Sequence, residues 1–393
     1  TLIPYMMLTA DARGMAWFAE NDRHWTKSTD TPAVALVRSA EAVTLVLNVI
    51  SARRRIREPL TLEFGLHPIP VKPLHENWRM TDNWTVIPDS FAGSNLKGDK
   101  STQFWRHPAD MDWDAVVPRY EGSIMQARWK EAPGRFRERY GRAPKPYEIP
   151  VPALYQDLRR INAVPAHTRE WYPVWRGVAH GAYDTLRYDR DLIDYSVWIW
   201  NEWLKHGIVR GVYMDDCWNS EQRVFPGPVC YKLPDGHVQP GFQWRGHREY
   251  LKRMRQCFHD QGLIPHMCAH TTHTYFVPYH AFFDVILDGE DDYKFAPNPK
   301  TFIDSWSPAR LRFMHPAKWG QITTWLDWTG GSKAGEDARN FPEWHFRQER
   351  AFMAAMLAHD LIWTDRDYKL WSRTRLDWSK IGPLQIRQDP DTV

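Results

Sequence analysis

Cysteine is scarce in this sequence, with four residues among 393, and no two of them have the CxxC spacing of a zinc or redox motif. The four, Cys217, Cys230, Cys257 and Cys268, are too few to stabilise a domain of this size through disulfides. Cys217 and Cys230 could bridge one loop, but thiols fit the sequence equally well. The cysteines therefore leave the redox compartment open.

Several motifs and charge patterns are also absent. The sequence has no glycine-rich phosphate loop, no GxSxG motif and no Rossmann fingerprint, which argues against nucleotide, dinucleotide and serine-hydrolase chemistry.

The net charge is only +3 and the longest basic run is the three arginines at 53–55, so nothing indicates a nucleic-acid partner. An apolar fraction of 43% is typical of a folded chain, and we expect neither a membrane partner nor a cofactor. The oligomeric state is left open.

The start of the chain carries no targeting information. Thr1 leads directly into strand-like residues, without an initiator methionine or a signal peptide. We interpret the sequence as a mature form or as a piece of a longer protein. The localisation stays open, and a secreted or periplasmic protein would fit.

Tryptophan, by contrast, is abundant, with 22 residues beside 16 Tyr and 17 Phe. Trp is costly to bury completely and is often partly exposed, where its flat ring can stack on a sugar or line a cleft. Part of this excess must belong to the core. The remainder favours a carbohydrate ligand.

The first 75 residues predict β-strands. Apolar and polar residues alternate, and turn-rich segments separate candidate strands at residues 2–9, 33–38, 42–50 and 60–65. We predict a small antiparallel β-sandwich region over residues 1–75, incomplete alone and packed on the following domain. The proline-rich stretch at 64–73 (FGLHPIPVKP) predicts the connector between the two.

From residue 76 onward the pattern changes to alternating helices and strands. A helix at 189–205 is followed by Gly207 and an apolar run, and a helix at 246–261 is followed by Gly262 and a second apolar run. This repeated order indicates a parallel α/β architecture. We therefore predict a (β/α)8 TIM-like barrel over residues 76–393.

Acidic residues follow the predicted strands. The run at 208–214 leads into Asp215 and Asp216, that at 282–287 into Asp288, and that at 321–326 into Asp327. In a (β/α)8 barrel the active site is built at the carboxyl ends of the strands. The alternative is that one of the two adjacent acids caps the following helix or binds loop amides.

Glycoside hydrolysis needs two carboxyl groups, one as acid and the other as nucleophile, base or orienter. We assign Asp215 and Asp216 to one side of the sugar and Glu290 or Asp288 to the other. Glu290 is favoured because it follows Gly289 and has the longer side chain.

Other residues near the predicted strand ends are candidates for substrate binding. Aromatic rings suit sugar faces, and Arg176 could bind an acidic substituent or pair with a strand-end carboxylate. The candidates are Trp175, Arg176, Tyr213, Trp218, His270, His273, Trp325 and Asp327.

A group of histidines around Cys268 invites a metal-site interpretation. His266 and His270 lie on one predicted strand, but His273 lies beyond it, and no HExxH or paired CxxC motif accompanies them. We expect no metal. His270 and His273 are instead candidates for sugar contacts or loop packing.

Residues 14–22 (GMAWFAEND), 64–73 and 211–216 (GVYMDD) resemble bacterial glycoside hydrolase family 123-like proteins. The resemblance implies a β-sandwich before a (β/α)8 barrel. It also implies substrate-assisted cleavage of N-acetylgalactosaminides by an adjacent Asp-Glu pair, in which the Asp orients the acetamido group and the Glu is the acid. Asp215 matches the orienter, whereas Asp216 stands where the family has Glu.

The shorter Asp216 leaves two mechanisms open, the acetamido-assisted one and one across the cleft with Glu290 as acid. Both describe a glycoside hydrolase that acts on a polysaccharide or glycan. One alternative is a non-catalytic carbohydrate-binding protein on a barrel scaffold. Another is a polysaccharide lyase with a His or Tyr base, for which His270 and Arg176 would matter more.

Overall fold

The computed structural model describes residues 3–10, 12–76, 78, 124–146, 148, 151, 153–157, 188–207, 209–215, 217, 221–222, 229–271, 274–289, 306–327 and 343–365. For residues 124–129, 154–157, 221–222, 326–327, 343–349 and 363–365 it describes the backbone alone. No helix in these ranges is both long and apolar enough to cross a membrane.

The N-terminal part forms five antiparallel strands, of which three lie within the strands predicted at 2–9, 33–38 and 42–50 and one, the second, was not predicted. They are β1 (Tyr5–Thr9), β2 (Gly14–Phe18), β3 (Val34–Arg38), β4 (Val43–Leu47) and β5 (Gly65–Ile69). β1, β2 and β5 make one sheet in that order, and β3 and β4 make a separate hairpin. A sandwich of the two sheets stays a prediction.

Strand β5 lies where the sequence predicted the connector between domains. The strand predicted at residues 60–65 was wrong apart from Gly65, since residues 60–64 are not in a strand. β5 is an edge strand that pairs only with β2 among the described strands. An edge position tolerates Pro68, because a residue without an N–H is accommodated where no second neighbour needs one. Part of the proline-rich stretch therefore lies in a sheet, and the connector between domains stays a prediction.

The three-stranded sheet packs on the α/β part of the chain. Ala16, Phe18 and Ile69 belong to the same buried apolar cluster as Trp244 and Tyr279. The indole N–H of Trp244 also donates to the backbone oxygen of Ala19 at 2.7 Å. The N-terminal strands therefore cover part of the main core, as expected for an incomplete sheet.

The α/β part is organised around a six-stranded parallel sheet. Its strands are β6 (Ala153–Asp157), β7 (Gly211–Asp215), β12 (Met267–His270), β13 (Val285–Asp288), β14 (Ile322–Asp327) and β15 (Ile362–Asp365). The numbers β8–β11 belong to four short strands in the loop between β7 and the next helix. The six strands of the sheet lie side by side in chain order. This order is typical of one wall of a (β/α)8 barrel, since a doubly wound sheet reverses direction at a switch point. The class is mixed α/β, and closure into a complete barrel is a proposal.

Seven helices accompany the described strands. They are α1 (Ile124–Tyr140), α2 (Arg190–Lys205), α3 (Trp244–Asp260), α4 (Val277–His280), α5 (Pro308–Phe313), α6 (Pro316–Trp319) and α7 (Glu343–Ala358). Asp189 caps α2 by accepting from the Leu192 N–H at 3.2 Å. The predicted helix-Gly-strand order is confirmed, since Gly207 and Gly262 have φ values of +69° and +65° after α2 and α3.

The predicted long loop between β7 and α3 contains four two-residue strands. These are β8 (Glu221–Gln222), β9 (Tyr231–Lys232), β10 (Val238–Gln239) and β11 (Gly241–Phe242). β9 pairs with β10, and β8 pairs with β11. The segment therefore has more local pairing than its proline and glycine content indicated.

Side chains of the parallel sheet alternate between two apolar clusters. Val212, Met214 and Ala269 belong to the large cluster that contains the helices. Strand residues of opposite parity belong to a smaller cluster on the other face, which Trp78 joins from outside the sheet: Tyr213, Cys268, Val285, Leu287, Ile322 and Ile362. We call this second face the inner face. Because successive strand residues point to opposite sides, it also carries Asp215 and His270.

Candidate active site

The carboxyl ends of the six parallel strands meet at one edge of the sheet. Five strands end on Asp and one on His: Asp157, Asp215, His270, Asp288, Asp327 and Asp365. The predicted succession of polar residues at strand ends is therefore present in the backbone. Which of these residues share a face depends on the alternation within each strand.

Asp215 and His270 are in direct contact at the ends of β7 and β12. Nδ1 of His270 lies 2.7 Å from Oδ1 of Asp215. The side chain of His270 is 5% exposed, and that of Asp215 is 22% exposed. Asp215 is therefore the member of the pair that a ligand can reach, and His270 supports it from behind.

Tyr213, two residues before Asp215 on β7, is the third member of this group. Its hydroxyl lies 2.9 Å from Nδ1 of His270 and 3.4 Å from Oδ1 of Asp215. Tyr213 is 3% exposed and packs on the inner face beside Cys268, its register partner on β12. The ring of Tyr213 is therefore held in place by the apolar cluster on the inner face.

The short contact between His270 and Asp215 requires a hydrogen between the two atoms. A bare ring nitrogen and a carboxylate oxygen are both acceptors and would not approach to 2.7 Å; with Asp215 ionised, Nδ1 carries the hydrogen and donates it to the carboxylate. The hydroxyl of Tyr213 donates to the same carboxylate. Hydrogen bonds to the charged form of a carboxylate favour that form. These contacts orient Asp215 and favour its ionised form.

Asp288 lies on the opposite face of the sheet. Leu287 belongs to the inner face, so its neighbour Asp288 points toward the helices. Asp288 is 3% exposed, and its Oδ1 accepts from the N–H of Gly289 at 2.7 Å. The structure therefore separates Asp288 from Asp215 and His270, although all three end neighbouring strands.

Trp325 is also on the helix side and is 1% exposed. Its ring lies 5.2 Å from that of Trp306, and the Arg310 guanidinium lies 5.0 Å above it. Gly289 passes so close that an added Cβ would clash with the indole. Trp325 has no face open to a sugar, which corrects its assignment as a substrate platform.

The remaining candidates from the sequence lie outside the described residues. These are Asp216, Glu290, Trp175, Arg176, Trp218 and His273, and of Asp327 only the backbone is described. Their roles stay predictions.

One acid at this edge was overlooked in the sequence. Asp157 ends β6 and is the register partner of Asp215 on the neighbouring parallel strand. Register partners on adjacent strands occupy the same face of a sheet. The signal was present, because an apolar run ends on Asp157 as another does on Asp215, but the run is short and interrupted by Tyr155 and Gln156.

The histidines that suggested a metal are spread along β12. His266 precedes the strand and His270 ends it, about 13 Å apart at the usual rise of a strand. Burial lowers the pKa of His266 to about 4. Among the residues that the structure describes, no group of three or more His, Cys, Asp or Glu could hold a metal ion.

Comparisons with known proteins are sparse. No family model matches the chain. No curated protein matches it either. Among solved structures, it is similar to a noncanonic maltogenic alpha-amylase from Thermotoga neapolitana, with 15% identity and a TM-score of 0.27. The match covers 44% of this chain and 37% of the amylase chain.

Proposed function

We propose that this protein is a glycoside hydrolase on a (β/α)8 barrel, with Asp215 as its ionised carboxylate. The observation that carries the proposal is the contact of Asp215 with His270 and Tyr213 at the carboxyl edge of the parallel sheet. The abundance of Trp supports a carbohydrate substrate.

The surroundings of Asp215 favour some roles over others. Donors from His270 and Tyr213 stabilise its charged form, which suits a nucleophile, a base or an orienter of an acetamido group. They disfavour the role of general acid, which requires a proton at working pH. A second carboxyl group must therefore protonate the leaving oxygen.

Three residues are candidates for this acid. Asp216 and Glu290 come from the sequence, and Asp157 comes from its register with Asp215. Asp216 matches the position of the acid in family 123-like proteins but is one methylene shorter than Glu. An N-acetylhexosaminide is the expected substrate if Asp216 is the acid, whereas the other two leave the sugar open.

Hydrolysis of a panel of aryl glycosides and natural glycans tests the proposal. The wild type and Asp215→Asn are compared, with Asp235→Asn as a matched control because Asp235 is 64% exposed on a turn. We expect Asp215→Asn to lose about 10²- to 10⁴-fold in kcat/KM while remaining folded by circular dichroism. The control is expected to match the wild type. Equal activity of all three proteins would refute the assignment.

Exposure argues against His270 and Tyr213 as the base of a lyase. A lyase base must reach a proton on the uronate, but His270 and Tyr213 are only 4% and 3% exposed. The same panel examines this point, since a lyase leaves an unsaturated product that absorbs in the ultraviolet. Glycan binding without any cleavage would instead favour the carbohydrate-binding protein.

A further inference from the structure

The backbone of Cys217, directly after the two adjacent acids, is fixed at both polar groups. Its N–H donates to the carbonyl oxygen of His270 at 2.9 Å. Its own carbonyl accepts from the Tyr279 hydroxyl and from Nε2 of His280, each at 2.6 Å. The residue is 0% exposed. This arrangement is unusual for a loop after a strand, where backbone groups are commonly solvated.

The two donors are themselves held in place. Nδ1 of His280 accepts from the Phe276 N–H at 2.8 Å, so Nε2 carries the hydrogen that Cys217 accepts. Burial lowers the pKa of His280 to about 3, which keeps the ring neutral from mildly acidic pH upward. The ring of Tyr279 is 0% exposed and stacks 5.9 Å from Trp244. Neither donor can turn away without disturbing the core.

These contacts anchor the chain at Asp215 and again at Cys217. The carboxylate of Asp215 is bound to the His270 side chain. The N–H of Cys217 is bound to the His270 backbone, and its carbonyl is bound to α4. The end of β7 is therefore held through the side chain of Asp215 and through the backbone of Cys217, two residues later.

We propose that Tyr279 and His280 are positioning residues that fix Asp215, at the end of β7, through the carbonyl of Cys217. They reach the reaction only through that carbonyl, since both are fully buried. This inference rests on the proposed function, because it concerns the position of Asp215.

The thiol of Cys217 provides a test that does not require activity. Cys217 and Cys268 are both 0% exposed, so each reacts with iodoacetamide only when its surroundings open. Tyr279→Phe removes one donor, and we expect about tenfold faster alkylation of Cys217, from the usual strength of one buried hydrogen bond. Alkylation of Cys268, in the sheet, is expected to stay unchanged. Peptide mass spectrometry under native conditions measures both rates.

Tyr250→Phe is the matched control. The hydroxyl of Tyr250 accepts from Trp200 Nε1 at 2.9 Å between α2 and α3, and Tyr250 is equally buried. This variant loses a buried hydrogen bond of similar strength but is expected to leave Cys217 protected. If Tyr279→Phe accelerates both thiols equally, or neither, the positioning role is overturned.

A kinetic measurement then tests whether the position of Asp215 affects the reaction. Tyr279→Phe is expected to lower kcat about tenfold with little change in KM, whereas Tyr250→Phe keeps both values. Faster alkylation of Cys217 with an unchanged kcat would show that Tyr279 holds Cys217 but that this contact does not affect catalysis. That result also overturns the inference. If the wild type cleaves no glycoside, the proposed function fails, and the alkylation rates alone decide whether the anchor exists.

Discussion

Three buried histidines predict that the protein loses stability in mild acid. Burial lowers the pKa of His247 and His280 to about 3 and that of His266 to about 4. The positive charge of a protonated His280 would further disfavour protonation of His247. In the unfolded chain each ring has its ordinary pKa of 6.5. The unfolded state therefore binds more protons than the folded state below that value, and stability falls as the pH falls.

The size of the effect follows from the pKa differences. Each pH unit below 6.5 costs about 1.4 kcal/mol per histidine until the folded pKa is reached. At about pH 5 each of the three contributes a loss of about 2 kcal/mol, or about 6 kcal/mol together. This is comparable to the whole free energy of unfolding of many domains. Glu20 acts in the opposite direction, because burial raises its pKa, and the lowered pKa of Asp284 matters only in stronger acid.

His247 is the best single residue for testing this reasoning. Within the described structure neither ring nitrogen has a hydrogen-bond partner, and the ring packs edge-on against Tyr188 at 4.3 Å and Tyr279 at 5.4 Å. His247→Phe keeps an aromatic ring there but removes the titrating group. We expect the loss of stability between about pH 7 and pH 5 to shrink by about 2 kcal/mol.

Urea unfolding followed by tryptophan fluorescence measures these free energies. His237→Gln is the control, because His237 is 81% exposed, and it is expected to keep the wild-type dependence on pH. His247→Leu is a second variant in case the larger Phe strains the core. A wild-type loss below about 1 kcal/mol, or the same loss in all variants, would refute the argument from burial.

Two further substitutions separate function from stability. Tyr213→Phe removes a donor to Asp215, and we expect about a tenfold lower kcat/KM in the glycoside panel with little change in melting temperature; a normal kcat/KM would contradict its role. Asp284→Asn removes the counter-ion of Lys72 and Arg255, which lie 2.8 and 2.9 Å from its Oδ1. Because two cations then stay in a largely buried position, we expect a loss of about 3–5 kcal/mol in urea unfolding, and a loss below about 1 kcal/mol would contradict this.

The sequence predicted element order better than it predicted faces. The positions of Gly207 and Gly262 marked both helix ends, because a left-handed residue after a helix strongly favours glycine. The strand end at Asp215 followed from the apolar run before it. Asp288 ended a strand just as clearly. Adjacent strand residues face opposite sides of a sheet, however, so a shift of the strand by one residue would reverse the side that Asp288 faces. Only the packing of Leu287 on the inner face resolves this.

Contacts between distant residues were beyond the sequence. Tyr213 and His270 are 57 positions apart, and nothing in their local patterns indicates a contact between them. Trp325 shows the same limit in reverse, since its position at a strand end suggested a sugar platform while its ring is enclosed by Trp306 and Arg310. Burial of a Trp depends on neighbours that come from other parts of the chain.

Strand spacing predicts different distances from Asp215 for two of the candidate acids, Asp157 and Glu290. Neighbouring strands lie about 4.8 Å apart, so the register positions of Asp157 and Asp215 are separated by roughly the 5–5.5 Å between carboxyl groups of a retaining glycosidase. Glu290 follows β13, and β12 lies between β13 and β7. The axes of β13 and β7 are therefore about 10 Å apart, slightly above the 6.5–9.5 Å between carboxyl groups of inverting enzymes, which is the stereochemistry that we expect with Glu290 as acid.

The two acids thus predict different stereochemistry. With Asp157 as acid, the first product keeps the anomeric configuration of the substrate, and Asp157→Asn loses most activity on natural glycans but less on aryl glycosides with good leaving groups, which need little protonation. Nuclear magnetic resonance of the fresh product reads the configuration directly. Inversion, combined with that same leaving-group pattern in Glu290→Gln, would transfer the role to Glu290. Retention with neither variant affected would point to Asp216, whose adjacent position suits an acetamido-assisted reaction.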